Sequence, residues 1–339
     1  MEGYLLALAF VFSFVLVVLF MPKWVKVCRK IGLTWEDMNK FGHPKNVASS
    51  GGIIVVMAFM LGVLFYIAMK TFLFNGTIHL SEIFALLTMV LILSIVGLVD
   101  DLLGWKSGGL PAKLRVLLAF MASIPLVVIN AGNSIMNVPF FGAVNFGIFY
   151  PLVIIPIAVA GVATTYNFLA GFNGLESGQG ILILGFLSFV AYQSGSPWLA
   201  VIGFCMVMSL AGFYIFNKVP AKVFPGDIMT YSIGAMIAGM AILGNFEKIA
   251  LIIFVPYILE VFLKIRGKFS GNFKNGKWPQ SFGIPDKNGF LKMPYEKVYG
   301  LEHLAIKVLG KNATEKKVTY LIFAFQILFI LIGFLMVVF

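Results

Sequence analysis

Charge is what this chain has least of. Of its 339 residues only 12% are Asp, Glu, Lys or Arg, while 60% are hydrophobic. A soluble domain carries about 25% charged residues, so the composition excludes a water-soluble globular protein and requires lipid as solvent. Cysteine is scarce too. Cys28 and Cys205 lie at the inner end of one predicted helix and inside another, which excludes a disulfide framework. The three histidines, His43, His79 and His303, share no metal-ligand spacing and read as ordinary loop or interface residues. Ionisable groups are nearly missing from the middle of the apolar stretches. Glu260, with Lys264 four residues on, is the exception and lies near an inner end. An ion-coupled transporter or lipid flippase would place charge across the midplane, so that alternative is disfavoured. There is no short-period repeat and no low-complexity linker, and a bundle of membrane helices is usually one unit. A single integral membrane domain over 1–339 is expected.

What is present is apolar sequence in long runs. A membrane-spanning helix needs roughly 20 such residues, and ten stretches qualify: 4–22, 50–69, 82–99, 113–130, 147–166, 178–194, 197–216, 228–244, 248–266 and 318–339. The first lacks the basic leader and cleavage site of a signal peptide and is kept as a span. With the N-terminus outside, 23 of the 25 Lys and Arg residues fall on inner segments, and only Lys70 and Lys248 fall outside. Basic residues mark the cytoplasmic side. The expected fold is therefore an all-α polytopic membrane protein with ten transmembrane helices, both termini outside and the active site on the cytoplasmic face. The net charge of +11 follows from this topology and from anionic inner-leaflet lipid, with no nucleic acid needed. The longest inner segment, 267–317, contains Pro279, Pro285 and Pro294 as breakers. Within it, apolar positions at helical spacing predict an amphipathic helix from Tyr295 to Leu309 lying on the inner interface. The outer segment 131–146 reads as a loop or short hairpin.

All five aspartates, Asp37, Asp100, Asp101, Asp227 and Asp286, fall on inner segments. A carboxylate pair at the bilayer surface, with further acids and amides at neighbouring helix ends, suits Mg²⁺. That ion takes one or two carboxylates and completes its shell with phosphates and water. Asp100 and Asp101 follow a helix at its C-terminal end, where the helix dipole disfavours acids. They read as functional, against the alternative of two solvated loop acids. Lys113 opens the next helix, where the dipole and a cation together favour phosphate. Asp227 either binds a metal, caps helix 228–244, or does both. Glu176 reads as a helix-entry acid.

Four inner segments carry the motifs: Asp37-Met38-Asn39-Lys40 with Gly51-Gly52; Val99-Asp100-Asp101 with Lys113 and Arg115; Tyr166-Asn167 through Gly171, Asn173 and Glu176 to Gly178; and Asn217 followed by Pro220-Ala221-Lys222-Val223-Phe224-Pro225-Gly226-Asp227. In this order the chain resembles, over nearly its whole length, the polyprenyl-phosphate N-acetylhexosamine-1-phosphate transferases. The segments "DMNK", "YNFLAGFNGLE" and "PAKVFPGD" look most like the dolichyl-phosphate N-acetylglucosamine branch of eukaryotes and archaea. Residues 264–300 contain no histidine, unlike the bacterial peptidoglycan branch. Where the eukaryotic branch has paired arginines, this chain has Lys274, Lys277, Trp278 and Gln280.

The resemblance implies transfer of N-acetylglucosamine 1-phosphate from UDP-N-acetylglucosamine to dolichyl or another polyprenyl phosphate, with release of UMP. That is the first step of lipid-linked oligosaccharide synthesis for N-glycosylation. The same chemistry on another N-acetylhexosamine, or on undecaprenyl phosphate, is the nearer alternative. The resemblance makes Asn167 and Asp227 ligands of Mg²⁺, or of Mn²⁺ in its place. Asp100, Asp101 and Lys113 are expected to serve catalysis, with Asp100 on the acceptor phosphate and Asp101 near the metal, or the two roles exchanged. Gly171, Asn173 and Phe224 would meet the uracil. Asp37, Met38, Asn39, Lys40 and Lys222 would contact substrate. Lys277, Trp278 and Gln280, on a segment long enough to fold over the site, would read the sugar. The expected partners are these substrates, membrane lipid and a second copy in a homodimer. The membrane would be the plasma membrane of an archaeon or bacterium, or the endoplasmic reticulum of a eukaryote.

Overall fold

The computed structural model describes residues 2–74, 79–138, 142–269 and 278–338. In chain order its helices are α1 (Glu2–Ile31), α2 (Gly52–Leu73), α3 (Leu80–Ser107), α4 (Ala112–Met121), α5 (Ile124–Val128), α6 (Ile155–Tyr166), α7 (Leu175–Gln193), α8 (Pro197–Asn217), α9 (Asp227–Gly244), α10 (Glu247–Ile253), α11 (Val255–Phe269), α12 (Leu301–Leu309) and α13 (Glu315–Val338). Among the described residues seven helices, α1, α2, α3, α7, α8, α9 and α13, are long and apolar enough to cross a membrane. Of the other three expected spans two are interrupted and one, Tyr150–Tyr166, is a continuous but shorter helix, each with a proline at the irregular point. Pro125 cannot bond back to Met121, and the helix breaks between α4 and α5. Before α6 the chain runs through a π-turn, Tyr150–Ile154, next to Pro156. Pro256 follows the break between α10 and α11, where the Gln326 amide donates to the carbonyl of Ile253 at 2.8 Å.

The fold is not purely helical. Three two-stranded antiparallel ribbons join the helices: β1 (Thr34–Trp35) with β2 (Val47–Ala48), β3 (Ile135–Val138) with β4 (Gly142–Asn145), and β5 (Ile284–Pro285) with β6 (Leu291–Lys292). The second is the hairpin expected in the outer segment. The interfacial helix begins at Leu301 rather than Tyr295, because Gly300 is fully extended just before it. His303 lies inside the protein, not in a loop or at an interface, because the buried face of α12 carries it inward.

Helix α9 is the hub. It packs on α2, α3, α6 and α7 and is buried over almost its entire length. Lipid is as apolar as leucine, so helices in a membrane associate through close fit rather than exclusion of water. Two glycines supply that fit. A Cβ on Gly97 of α3 would lie 2.5 Å from the Asp227 carbonyl carbon, and one on Gly234 of α9 would lie 2.5 Å from Ala163 Cα of α6. These crossings bring the C-terminal ends of α3 and α6 to the N-terminus of α9, so Asp100, Asp101, Asn167 and Asp227 converge although they are distant in sequence.

Candidate active site

The segment before α9 is pinned from two sides. Its backbone runs beside residues 48–52: Phe224 N–H donates to Ala48 O at 2.8 Å, Gly51 N–H to Phe224 O at 2.9 Å and Gly52 N–H to Pro225 O at 2.9 Å. A Cβ on Gly51 would sit 2.6 Å from Val223 and Phe213 side-chain atoms, so the Gly51-Gly52 pair is what lets α2 begin this close. From behind, the Asn217 amide donates to Val223 O at 2.9 Å and accepts from Ser177 Oγ at 2.7 Å. Gly226 then turns the chain with φ of 72° into α9.

Asp101 receives the start of that helix. Its carboxylate accepts the Asp227 N–H at 2.7 Å and the Ile228 N–H at 3.5 Å, an acid placed where the unpaired amides and helix dipole favour one. Asp100 points the other way. The left-handed Gly108 and Gly109 fold the chain back so that Leu110 N–H donates to Asp100 Oδ1 at 2.5 Å. Arg115, from α4, donates to Asp100 Oδ2 at 2.7 Å and stands 3.7 Å from Asp227 Oδ2. Asn167, at the end of α6, donates to Asp227 Oδ1 at 3.0 Å. The Asp100 and Asp227 carboxyls lie close together against the one Arg115 guanidinium. Two carboxylates so placed repel, and the single guanidinium beside them offsets one charge. They border a cavity of ≈ 340 Å³ that is also lined by Asp37, Gly171 and Phe224.

The comparisons with known proteins fit this geometry. Residues 83–245, which contain the whole carboxylate cluster, match the model of glycosyl transferase family 4. A protein of Saccharolobus solfataricus, provisionally named UDP-N-acetylglucosamine–dolichyl-phosphate N-acetylglucosaminephosphotransferase, is 34% identical over 84% of this chain and 83% of its own length. A Dictyostelium discoideum protein of that name is 29% identical over 78% of this chain and 69% of its own. The phospho-N-acetylmuramoyl-pentapeptide-transferase of Streptococcus agalactiae is 29% identical over 76% and 78%. The chain belongs to the polyprenyl-phosphate N-acetylhexosamine-1-phosphate transferase family, in its dolichyl-phosphate N-acetylglucosamine branch.

In this transferase Asp37, Met38, Asp100, Asp101, Asn167, Gly171, Asn173, Phe224 and Asp227 all line the one cavity. Asp101 lines it while its carboxylate is committed to α9. Asn39 is buried nearby, where its amide donates to Gly171 O at 2.8 Å and accepts Gly283 N–H at 3.1 Å; it stitches two loops together. Lys40 pairs with Glu315 at the start of α13. Glu315 also accepts Asn173 N–H at 2.9 Å, and the Asn173 amide donates to Asp37 at 2.9 Å. Lys113 and Lys222 are exposed and do not line the cavity. Lys274 and Lys277 lie outside the described residues. Trp278 and Gln280 border a second chamber of ≈ 250 Å³, which shares Asn167, Gly171 and Phe282 with the first. Trp278 sits 5.4 Å from the Phe168 ring, with Lys268 4.5 Å over its face. Glu176 opens α7, as expected of a helix-entry acid, and also lines the cavity, accepting Gly171 N–H at 2.9 Å.

Sequence reading assigned no role to Arg115 or Glu315. A second cation two residues after Lys113 was the available signal for Arg115. For Glu315 there was none, because its partners are 142 and 275 residues away.

Proposed function

We propose that the protein transfers N-acetylglucosamine 1-phosphate from UDP-N-acetylglucosamine to dolichyl or a related polyprenyl phosphate and releases UMP. The observation that carries this reading is the close pair Asp100 and Asp227, with Arg115 and Asn167 on them, at the ends of apolar helices. Relatives named for this reaction support the choice of substrates. The ten-span topology, with this end of the bundle cytoplasmic, is part of the proposal. It counts α4–α5, the π-turn with α6, and α10–α11 as three spans beside the seven longer ones.

Phosphoryl transfer asks a protein mainly for positioning and neutralisation of charge. A phosphate monoester has a second pKa of about 6, so the acceptor is largely dianionic and needs little help from a base. Its oxygen attacks the β-phosphorus of the UDP-sugar, the bond from that phosphorus to the bridging oxygen breaks, and UMP leaves with the electron pair. Arg115 reduces the repulsion between the two anions. Asp100, held by Arg115 and Leu110, helps to orient the acceptor. The residues fit Mg²⁺, and equally Mn²⁺. Among the described residues no three His, Cys, Asp or Glu side chains form a closed cluster, but the partly exposed Asp227 carboxylate, braced by Asn167 and close to Asp100, is an oxygen-donor set that leaves room for phosphate ligands. When bound there, the ion supplies neutralisation of the pyrophosphate. Phe224 and the Asp37–Asn173 pair offer an aromatic face and hydrogen-bonding groups to the base.

The test is UMP release by purified protein with Mg²⁺, a short polyprenyl phosphate and a panel of UDP-sugars. Release that depends on both substrates and is greatest with UDP-N-acetylglucosamine is expected. Release without acceptor, or none with any donor, refutes the proposal; preference for another UDP-N-acetylhexosamine overturns the choice of sugar.

A further inference from the structure

The transfer chemistry makes no use of a second group of charges, buried at the chamber that Trp278 and Gln280 border, which Lys264 itself helps to line. Lys264 of α11 is almost fully buried, and Glu260, one turn earlier, is completely so. Glu302, on the first turn of α12, is buried as well. The Lys264 ammonium has three hydrogens and three partners: Glu260 Oε1 at 3.4 Å, Pro279 O at 3.3 Å and Ser281 Oγ at 2.6 Å. Glu260 Oε2 accepts Leu301 N–H at 2.6 Å, so the same carboxylate holds the start of α12. Glu302 is the second buried acid of the group, and among the described residues neither of its carboxyl oxygens has a hydrogen-bond partner. Gly300 lies against both carboxylates, and a Cβ there would come 2.6 Å from Glu302 Oε2 and 2.9 Å from Glu260 Oε1.

A buried charge persists in a protein only when paired and hydrogen-bonded, and a broken buried pair leaves its partner uncompensated. A methionine in place of Lys264 would pack well enough for stability alone. What the ammonium adds is direction, because its donors hold the backbone at Pro279 and the side chain at Ser281. Gly267 of α11 serves the same segment from below, where a Cβ would lie 2.3 Å from Pro279 Cγ. At the other end, Gly283 N–H is fixed by Asn39 at 3.1 Å. The stretch from Trp278 to Gly283 is thus tied at both ends and forms one wall of the ≈ 250 Å³ chamber beside Asn167 and Gly171.

We propose that Lys264, paired with Glu260, is a positioning residue that fixes the wall Trp278–Gly283 and thereby sets how tightly the sugar of the donor is held. Its ammonium is committed to protein groups, so it acts through the wall rather than on the substrate. The sugar part of this inference rests on the proposed transferase function; the clamp itself does not.

Two measurements separate them. The first is amide hydrogen exchange across 278–283. Lys264→Met, and the charge-balanced pair Lys264→Met with Glu260→Gln should the single change not fold, are expected to speed exchange there at least tenfold while α9 is unchanged. Unaltered exchange in 278–283 overturns the clamp whatever the activity. The second is kinetic. The same variants are expected to raise KM for the UDP-sugar about tenfold, with UMP affinity and KM for the polyprenyl phosphate within twofold of wild type. Ser281→Ala should shift KM in the same direction by less, and Lys264→Arg should restore part of the loss. Lower thermal stability with unchanged kinetic constants, or equal losses for UMP and the UDP-sugar, overturns the positioning role. A wild-type protein that turns over no UDP-sugar removes the functional reading and the sugar role with it. In that case the exchange result alone decides the clamp.

Discussion

Replacing Asp227 by asparagine removes one negative charge and almost no volume. The backbone of Asp227 would stay in place, because its N–H donates to Asp101 and its turn is set by Gly226. The lost charge is what matters. Asp227 Oδ2 stands 3.7 Å from Arg115 Nη1. A unit charge at about this distance interacts with about 4 kcal/mol at an effective dielectric near 20. A cation held at this carboxylate would feel a comparable pull. The side chain is a quarter exposed and Asp100 remains as a neighbouring anion, so about 3 kcal/mol is a fair share to lose from transition-state stabilisation. Each 1.36 kcal/mol is tenfold in rate, and turnover should fall about a hundredfold. The assay is the initial rate of UMP release at saturating substrates, with monodispersity and thermal stability as checks that the variant is folded. A folded Asp227→Asn protein within threefold of wild type would refute the reasoning, because the carboxylate would then do nothing that an amide cannot.

Three other outcomes are expected. Asp101→Ala should lower stability by about 2–3 kcal/mol, the worth of a charge-assisted hydrogen bond to a helix start, and depress activity through Asp227; thermal inactivation unchanged from wild type would remove its capping role. Burial and nearby Lys264 push the His303 imidazole down from 6.5 to about 4, so it is neutral in the fold. That stabilisation is whole above pH 6.5, where the unfolded chain is neutral too, and is lost as pH falls from 6.5 towards 4. Over that window it amounts to about 3 kcal/mol. Glu302, raised by burial, acts with the opposite sign, its contribution being lost as pH rises above the ordinary carboxylate value. The measurement is therefore the difference between wild type and His303→Gln in stability against pH, and a flat difference from pH 7 to 4 contradicts it. Finally, cysteines at Asn133 and Asn288 should label from opposite sides of a sealed membrane, since native Cys28 and Cys205 are buried and silent; labelling from one side rules out the proposed topology.

Sequence alone determined the solvent of this protein, its helical class and many of the polar residues that line its cavity. Apolar run length and scarce charge are local properties, and so are Gly226 before Asp227 and the Asp100-Asp101 pair. Nine of the thirteen residues whose types and order pointed to substrate, metal or catalysis, from Asp37 to Asp227, line a single cavity. What the chain could not show was how each polar group is used. Asp100 and Asp101 are neighbours of identical type, yet one faces Arg115 and the other caps α9, because consecutive residues at a helix end point in different directions. Asn39 and Lys40 resembled substrate contacts, but their side chains bond to Gly171, Gly283 and Glu315. Arg115 entered the site and Lys113 did not, a choice made by the rotation of α4. The breaks at Pro125 and Pro256 were legible as residues but not as breaks, since prolines in membrane helices are tolerated when neighbours re-satisfy the freed backbone, and only packing shows whether a partner such as Gln326 stands ready to do so.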